Sequence, residues 1–221
     1  IADLVDTFRK TMIGMHPHND GDCGTANALA AVMAGCRHVQ GTINGLGERT
    51  GNANLIPVIA NLSIKLGYVV GKEHTLQDLT SMSAFVDETA NLSPNARAAY
   101  VGKNAFTHKA GLHVDGISKH ASAYEHITPE TVGNVRRLPI SEQSGKATVV
   151  QHAATMGLTL DKNSKEVRAV LNTVTEQEAA GYAFEGAEAS FELIVRKETG
   201  QHQKFFDLIY YFHFFYLKHY N

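Results

Sequence analysis

The chain has 221 residues, of which 43% are apolar and 19% are charged, a composition typical of a globular protein with a sizeable core. Its 20 basic and 22 acidic residues nearly balance, so we expect neither a nucleic acid nor a membrane surface as a partner. Two cysteines, Cys23 and Cys36, fit neither a disulfide framework nor a CxxC metal site, which favours a reducing cytoplasmic location and leaves organelle import open.

The first ten residues predict the end of a helix rather than a signal peptide. They contain acidic residues and helical apolar spacing in place of the basic start and apolar core of a secretory leader. Because the first residue is Ile1 and not methionine, we expect further residues before it in the native protein.

Residues 11–67 repeat one pattern twice: a short apolar strand, a polar or glycine-rich turn, a helix rich in alanine and leucine, and a glycine. The first unit predicts a strand over 12–16 and a helix over 22–34, and the second a strand over 38–43 and a helix over 53–66. Such units build a parallel sheet with both faces covered, in a barrel or in an open doubly wound sheet. Two units do not distinguish these architectures, and their open strand edges predict further strands upstream.

After Gly71 the pattern becomes mainly helical. Helices are predicted over residues 75–90, 105–124, 164–181 and 187–199, with a linker over 91–101 and a short strand-like piece over 137–140. Residues 204–221 are unusually aromatic, which favours an apolar strand opening a further domain, with a translation or assembly artefact as the alternative. This tail is too short and too charged for a membrane helix.

Two histidines, His16 and His18, stand two residues apart where the first strand ends. Residues at this spacing point to the same face of a strand, so both imidazoles can converge on one metal ion at the carboxyl end of a parallel strand. Mg²⁺, Mn²⁺ and Zn²⁺ all suit such a setting. The alternative is an ordinary polar loop in which one residue caps the following helix.

The second turn, residues 45–52, combines three glycines with the start of a helix. Glycine lets the backbone approach a ligand closely, and a helix N-terminus favours anions, but the spacing is common in turns. Since this loop lies beside the histidine pair, Asn52 could offer an amide oxygen to the same ion. Glu48 and Arg49 could instead pair with each other or with a neighbouring strand.

A third polar cluster contains His108 and His113. On one helix these side chains would lie roughly 140° apart, so they should not share a metal ion. From spacing alone, His113 is either an ordinary polar residue or a catalytic base.

Several motifs, taken in order along residues 4–200, carry a family resemblance. They are His-Pro-His-Asn-Asp at 16–20, Gln-Gly-Thr-Ile-Asn-Gly-Leu-Gly-Glu-Arg-Thr-Gly-Asn at 40–52, Asn-Ala-Phe-Thr-His-Lys-Ala-Gly-Leu-His at 104–113, Tyr-Glu-His-Ile-Thr-Pro-Glu at 124–130 and Phe-Glu-Gly-Ala-Glu-Ala-Ser-Phe-Glu at 184–192. Together they resemble the family of 2-isopropylmalate, citramalate and homocitrate synthases, and most of all its citramalate branch. The segment after His113, Val-Asp-Gly, departs from that branch, where small residues and serine are more familiar.

The resemblance implies an α/β fold made of the last two βα units of a TIM barrel followed by a mainly helical region. The implied domains are residues 1–72 (barrel strands 7 and 8), 73–148 (linker and helical subdomain I), 149–200 (helical subdomain II) and 201–221 (the start of a regulatory domain). His16, His18 and Asn52 would be metal ligands. An aspartate from an Arg-Asp-Gly segment, which this sequence lacks, would be another.

The implied activity joins acetyl-CoA to a 2-keto acid. Pyruvate would give (R)-citramalate for isoleucine biosynthesis, and 2-oxoisovalerate, the alternative, would give 2-isopropylmalate for leucine biosynthesis. His113 would act as the acid/base residue and Tyr124 as its helper, both reaching the barrel of the partner subunit in a domain-swapped homodimer. The isolated piece is expected to be inactive. Two other hypotheses are a lyase of the same superfamily and a non-catalytic remnant that binds metal or dimerises.

Overall fold

The computed structural model describes residues 1–71, 76–140, 144–184 and 186–204. These residues form a helix-rich α/β structure with a first compact unit, Ile1–Pro139, and a second that begins at Ile140. The predicted aromatic strand falls outside the described residues from residue 205 onward. The division into domains at residues 72, 148 and 200 stays a prediction.

The first unit contains short strands and the helices that cover them. In chain order its elements are α1 (Ala2–Thr7), β1 (Gly14–Met15), α2 (Gly24–Met33), β2 (His38–Val39), α3 (Leu55–Ala60) with a π turn (Asn61–Lys65), α4 (Leu79–Thr89) and α5 (Gly111–Lys119). Single 3-10 turns lie between β2 and α3, at Ile43–Gly45, and after α5, at Ala121–Ala123 and Pro129–Val132.

The two strands pair in parallel, which confirms the predicted βαβα arrangement. Gly14 lies opposite His38 and Met15 opposite Val39. Both strands are shorter than predicted because the chain bends into loops after two residues. A further parallel bridge joins Thr42 to Asn54 and ties the end of the second strand segment to the start of α3.

Helices α2 and α3 bury apolar side chains of the same unit. Ala28 of α2 packs with Val58 of α3 and with Leu62 in the π turn. Helix α3 begins at a capping residue, Asn54, whose side-chain oxygen accepts a hydrogen bond of 3.0 Å from the amide of Ile56. This cap fixes where the loop of residues 45–52 ends and the helix begins.

Asn44, directly before that loop, is hydrogen-bonded to helix α4. Its backbone is left-handed, with φ of 59°. Its amide nitrogen donates to the carbonyl of Ser83 and to a carboxylate oxygen of Asp87, both at 2.8 Å, while the hydroxyl of Ser83 donates to its oxygen at 2.7 Å. Ser83 and Asp87 are buried, so these bonds supply partners that water cannot reach.

We expect Asn44→Ala to lower the free energy of unfolding by about 3 kcal/mol, since alanine loses these bonds and resists the left-handed backbone. Asn44→Gly keeps that backbone without steric cost, so its loss should be about 1–2 kcal/mol. Urea denaturation of the chain measures both. Equal losses in the two variants would contradict the contribution assigned to backbone conformation.

In the described part of the second unit, three helices pack on one another. They are α6 (Lys146–Thr155), α7 (Lys165–Ala179) and α8 (Glu188–Glu198). Helix α7 buries Val167, Val170 and Val174 along one stripe, and Ser164 caps it by accepting from the amide of Val167 at 3.3 Å.

Two predicted helices end at different places in the structure. The helix predicted over residues 105–124 covers only Gly111–Lys119, and the residues before it form a bridge between Thr107 and Arg137. Among the described residues, this single bridge at Arg137 stands in place of the strand predicted over 137–140. The helix predicted over 53–66 changes to a π turn after Ala60.

None of the helices in the described ranges is long and apolar enough to cross a membrane.

Candidate metal and catalytic site

The loops that follow β1 and β2 are hydrogen-bonded to each other. The amide of Ala53 donates to the carbonyl of Pro17, and the amide of Asn19 donates to the carbonyl of Gly51, both at 2.9 Å. His18 and Asn52 face each other in an antiparallel bridge. The loops at the carboxyl ends of the two neighbouring parallel strands are therefore held together through their backbones.

The two histidines predicted as metal ligands approach each other in the first of these loops. The ring centroids of His16 and His18 lie 5.2 Å apart with the planes at 72°. Both side chains are exposed. His16 follows β1 directly, and His18 lies two residues further along, in the bridge to Asn52.

Asn52, the third predicted ligand, is oriented by its own loop. Its amide nitrogen donates to the carbonyl of Leu46 at 3.0 Å, which leaves the side-chain oxygen to face elsewhere. That oxygen is buried and has no hydrogen-bond partner among the described residues. An unpaired buried acceptor costs about 1–3 kcal/mol, so this atom is suited to a ligand.

Glycines make room for this arrangement. At Gly47, with φ of 154°, a Cβ would overlap the side-chain nitrogen of Asn52. At Gly51, with φ of 91°, it would overlap the carbonyl oxygen of Gly45. The glycine spacing therefore serves the placement of Asn52.

The donor set of these three residues fits a divalent cation but does not complete its shell. Imidazole nitrogens and an amide oxygen suit Zn²⁺ or Mn²⁺, and oxygen donors suit Mg²⁺. Within the described part of the chain, no three His, Cys, Asp or Glu side chains are grouped to hold a metal ion by themselves. A site here needs Asn52 and additional ligands.

An ion pair joins the two loops, as the predicted pairing of Arg49 with Glu48 or with a neighbouring strand allows, although the sequence did not identify Asp20 as the partner. Arg49 donates to both carboxylate oxygens of Asp20, at 2.8 and 3.1 Å, while its contact with Glu48 is longer, at 3.6 Å. The hydrogen bond from Arg49 lowers the pKa of Asp20. Both side chains are more than half exposed, so the pair orients the loops and adds little stability.

The two predicted catalytic residues are also in contact. The ring centroids of His113, on α5, and Tyr124, after the 3-10 turn, lie 4.7 Å apart with the planes at 38°. Both side chains are exposed. Their catalytic roles stay predictions.

Behind Tyr124 lies a buried ionic cluster that sequence reasoning missed. Glu125 is 2% exposed in its side chain and accepts two hydrogen bonds from Arg136, at 2.7 and 2.5 Å. The Nε2 atom of His108 lies 3.3 Å from the same carboxylate, close enough for an ion pair but not aligned as a hydrogen bond. The bonds from Arg136 lower the pKa of Glu125 and raise that of Arg136.

This cluster also shows where His108 belongs. It precedes α5 and turns inward to Glu125 instead of sharing a helix with His113. The prediction that both histidines lie on one helix was therefore wrong, and the expectation that they do not share a metal ion stays a prediction.

Comparison with known proteins relates this sequence to known families. Residues 1–86 match the HMGL-like family model, and residues 100–180 match the model described as homocitrate synthase post-HMGL domain-like. The chain is 46% identical to the (R)-citramalate synthase of Geobacter sulfurreducens over 212 residues, which is 95% of this chain and 40% of that protein.

The chain belongs to the citramalate and 2-isopropylmalate synthase family. It is 43% identical to the (R)-citramalate synthase of Aquifex aeolicus over 91% of this chain and 38% of that protein. It is 38% identical to the 2-isopropylmalate synthase of Sulfolobus acidocaldarius over 86% of this chain and 48% of that protein. The chain thus spans less than half the length of these synthases.

Proposed function

We propose that this chain supplies part of the active site of an acyltransferase that joins acetyl-CoA to pyruvate, with (R)-citramalate and CoA as products. The proposal is carried by three observations on adjacent loops: the ring centroids of His16 and His18 lie 5.2 Å apart, the backbone of His18 pairs with that of Asn52, and Oδ1 of Asn52 has no hydrogen-bond partner among the described residues. Identity of 43–46% to (R)-citramalate synthases supports the choice of reaction.

In this proposal the two βα units are the seventh and eighth units of a TIM barrel. Barrel enzymes carry their catalytic residues on loops at the carboxyl ends of the strands, and the loops after β1 and β2 bear the three candidate ligands. The other strands, with the aspartate ligand that the family resemblance implies, would come from outside this sequence. We therefore expect no thiol release from the 221-residue chain alone.

The three ligands would hold Mg²⁺, Mn²⁺ or Zn²⁺, which when bound supplies Lewis acidity to the carbonyl of the keto acid. His113 would remove a proton from the methyl group of acetyl-CoA, since histidine is the side chain that commonly changes charge between pH 5 and 8. The resulting carbon nucleophile adds to C2 of pyruvate, whose carbonyl oxygen takes up a proton and becomes the hydroxyl group, and water then hydrolyses the thioester to a carboxylate and free CoA.

Tyr124 would orient the imidazole of His113 and offer its hydroxyl to a substrate oxygen. We further propose that the segment with His113 and Tyr124 serves the metal site of a partner subunit in a homodimer. The two groups stand on separate segments, residues 16–52 and 113–124, which is compatible with such an exchange.

A second acceptor, 2-oxoisovalerate, is supported by the 38% identity to a 2-isopropylmalate synthase, which is lower than the identity to the citramalate synthases. The residues that select the side chain of the keto acid are expected on strands outside this chain. The choice between acceptors therefore needs a complete barrel.

Two chimeras test the proposal. Residues 4–200 would replace the matched region of the Geobacter sulfurreducens citramalate synthase and, separately, of the Sulfolobus acidocaldarius 2-isopropylmalate synthase. We expect thiol release from acetyl-CoA in the first host with pyruvate, and weaker release in the second with 2-oxoisovalerate. A folded first chimera that binds Mn²⁺ and releases no thiol would favour a non-catalytic remnant, and better function in the second host would favour the alternative acceptor.

A further inference from the structure

Gly116 is a glycine in the interior of helix α5 that its own backbone does not require. Its φ is not positive, and it lies inside the helix, so other residues could adopt the same backbone conformation. Glycine is the poorest helix former after proline. Its presence between His113 and Lys119 therefore calls for a reason outside the helix.

The reason is the ring of Tyr124. A Cβ built on Gly116 would overlap Cε2 of that ring and would lie 3.3 Å from Cδ2 and 3.4 Å from Cζ. His113 and Gly116 are three residues apart and hence neighbours on one helix face. The ring of Tyr124 thus lies directly on the helix backbone at Gly116 while contacting the imidazole of His113.

Tyr124 has little freedom to avoid such an overlap by moving its backbone. Its amide donates to the carbonyl of Ala121 at 3.0 Å, and the amide of Glu125 donates to the same carbonyl at 3.0 Å. Glu125 is in turn buried against Arg136. With the Cα held in place, a side chain at position 116 is accommodated most easily by rotating the ring away, because the overlapping atom belongs to the exposed side chain of Tyr124.

We infer that Gly116 is a positioning residue: its missing side chain is what allows Tyr124 to lie against His113. The inference rests on the proposed function for its catalytic consequence, because His113 and Tyr124 are there the proton-transfer pair. The packing itself is independent of that function and can be measured without it.

The first test is nuclear magnetic resonance of the 221-residue chain with labelled tyrosine and histidine. The signal of Tyr124 is assigned by its loss in Tyr124→Phe, and a nuclear Overhauser effect between the rings of Tyr124 and His113 is expected. Gly116→Ala should abolish that effect, while Ser118→Ala, an exposed change on the same helix, should preserve it. Persistence of the effect in Gly116→Ala would overturn the inference.

A double-mutant comparison separates the overlap with the ring of Tyr124 from the general effect of alanine on helix stability. In a Tyr124→Ala background the overlap is gone, so Gly116→Ala should raise the urea midpoint through its better helix propensity. In the wild-type background the same change should raise it less or lower it. Equal shifts in both backgrounds would overturn the inference.

Activity is measured in the citramalate synthase chimera. Gly116→Ala should lower kcat on the order of 10²-fold, as expected for a misplaced catalytic group, and should cause no further loss once Tyr124 is alanine. If the ring contact is lost in Gly116→Ala and the parent chimera releases no thiol, the proposed function fails while the positioning of Tyr124 is supported. An undiminished kcat despite a lost contact would contradict the catalytic consequence.

Discussion

Replacing either His16 or His18 by alanine is expected to weaken divalent-metal binding to the 221-residue chain by at least on the order of 10²-fold. The ring centroids lie 5.2 Å apart, and the backbone of His18 pairs with that of Asn52, whose side-chain oxygen is unpaired, so each histidine supplies one of few ligands. Changes outside the ligand shell already cost 10–100-fold in other metal sites, and a direct ligand should cost at least as much. The visible absorption of added Co²⁺, a spectroscopic substitute for the native ion, measures the affinity.

His38→Ala is the matched control for this experiment. His38 is also exposed and lies on β2 of the same unit, but at the opposite end of the strand pair from the two loops. Its removal should leave the affinity unchanged. Equal affinity of the wild-type, His16→Ala and His18→Ala chains would contradict the proposed metal site.

Asn52 offers a sharper version of the same prediction. Asn52→Ala should weaken Co²⁺ binding at least on the order of tenfold, less than loss of either histidine because a neutral amide oxygen binds Co²⁺ more weakly than an imidazole nitrogen does. Without metal the variant should unfold at nearly the same urea concentration, because it removes one hydrogen bond to Leu46 and also a buried unpaired oxygen. A large loss of stability with unchanged metal affinity would identify Asn52 as structural.

The second large effect is expected at Glu125. Glu125→Gln should lower the free energy of unfolding of the first unit by about 3 kcal/mol, because it removes the charged partner of Arg136 from a buried site. Glu88→Gln, an exposed change on α4 of the same unit, should change it by less than about 0.5 kcal/mol. Urea denaturation distinguishes the two, and similar values for both variants would contradict the assignment.

The acid dependence of stability gives an independent check on Glu125. Arg136 lowers the pKa of this carboxyl from its ordinary value of 4.5. The stabilisation is therefore fully present above pH 4.5 and is lost as the pH falls through the lower pKa of the folded state. The wild-type chain should lose more stability on acidification than Glu125→Gln, and parallel pH profiles would contradict this role.

The local parts of the site follow from residue spacing alone. The two-residue spacing of His16 and His18 predicts a shared face, and the rings do approach each other. The repeated strand, turn and helix pattern predicts two parallel strands, and β1 and β2 pair in that way. These features depend on neighbours in sequence, which is why periodicity predicts them.

The pairing partners that the sequence did not identify depend on contacts between distant segments. Arg49 and Asp20 are 29 residues apart, and Arg136 and Glu125 are 11 apart across irregular chain. Spacing predicts a helix through His108, but its contact with Glu125 and the bridge of Thr107 to Arg137 hold that segment outside α5. Charged residues in loops have many potential partners, and only the folded backbone selects one.

The most direct test of the proposed function is thiol release from acetyl-CoA and pyruvate by the citramalate synthase chimera, measured with Mn²⁺ present for the parent and for its His18→Ala and His38→Ala variants. We predict release by the parent and by His38→Ala, and a loss of activity in His18→Ala. Undiminished release by His18→Ala would contradict the assignment of this chain's paired loops to the metal site of the enzyme.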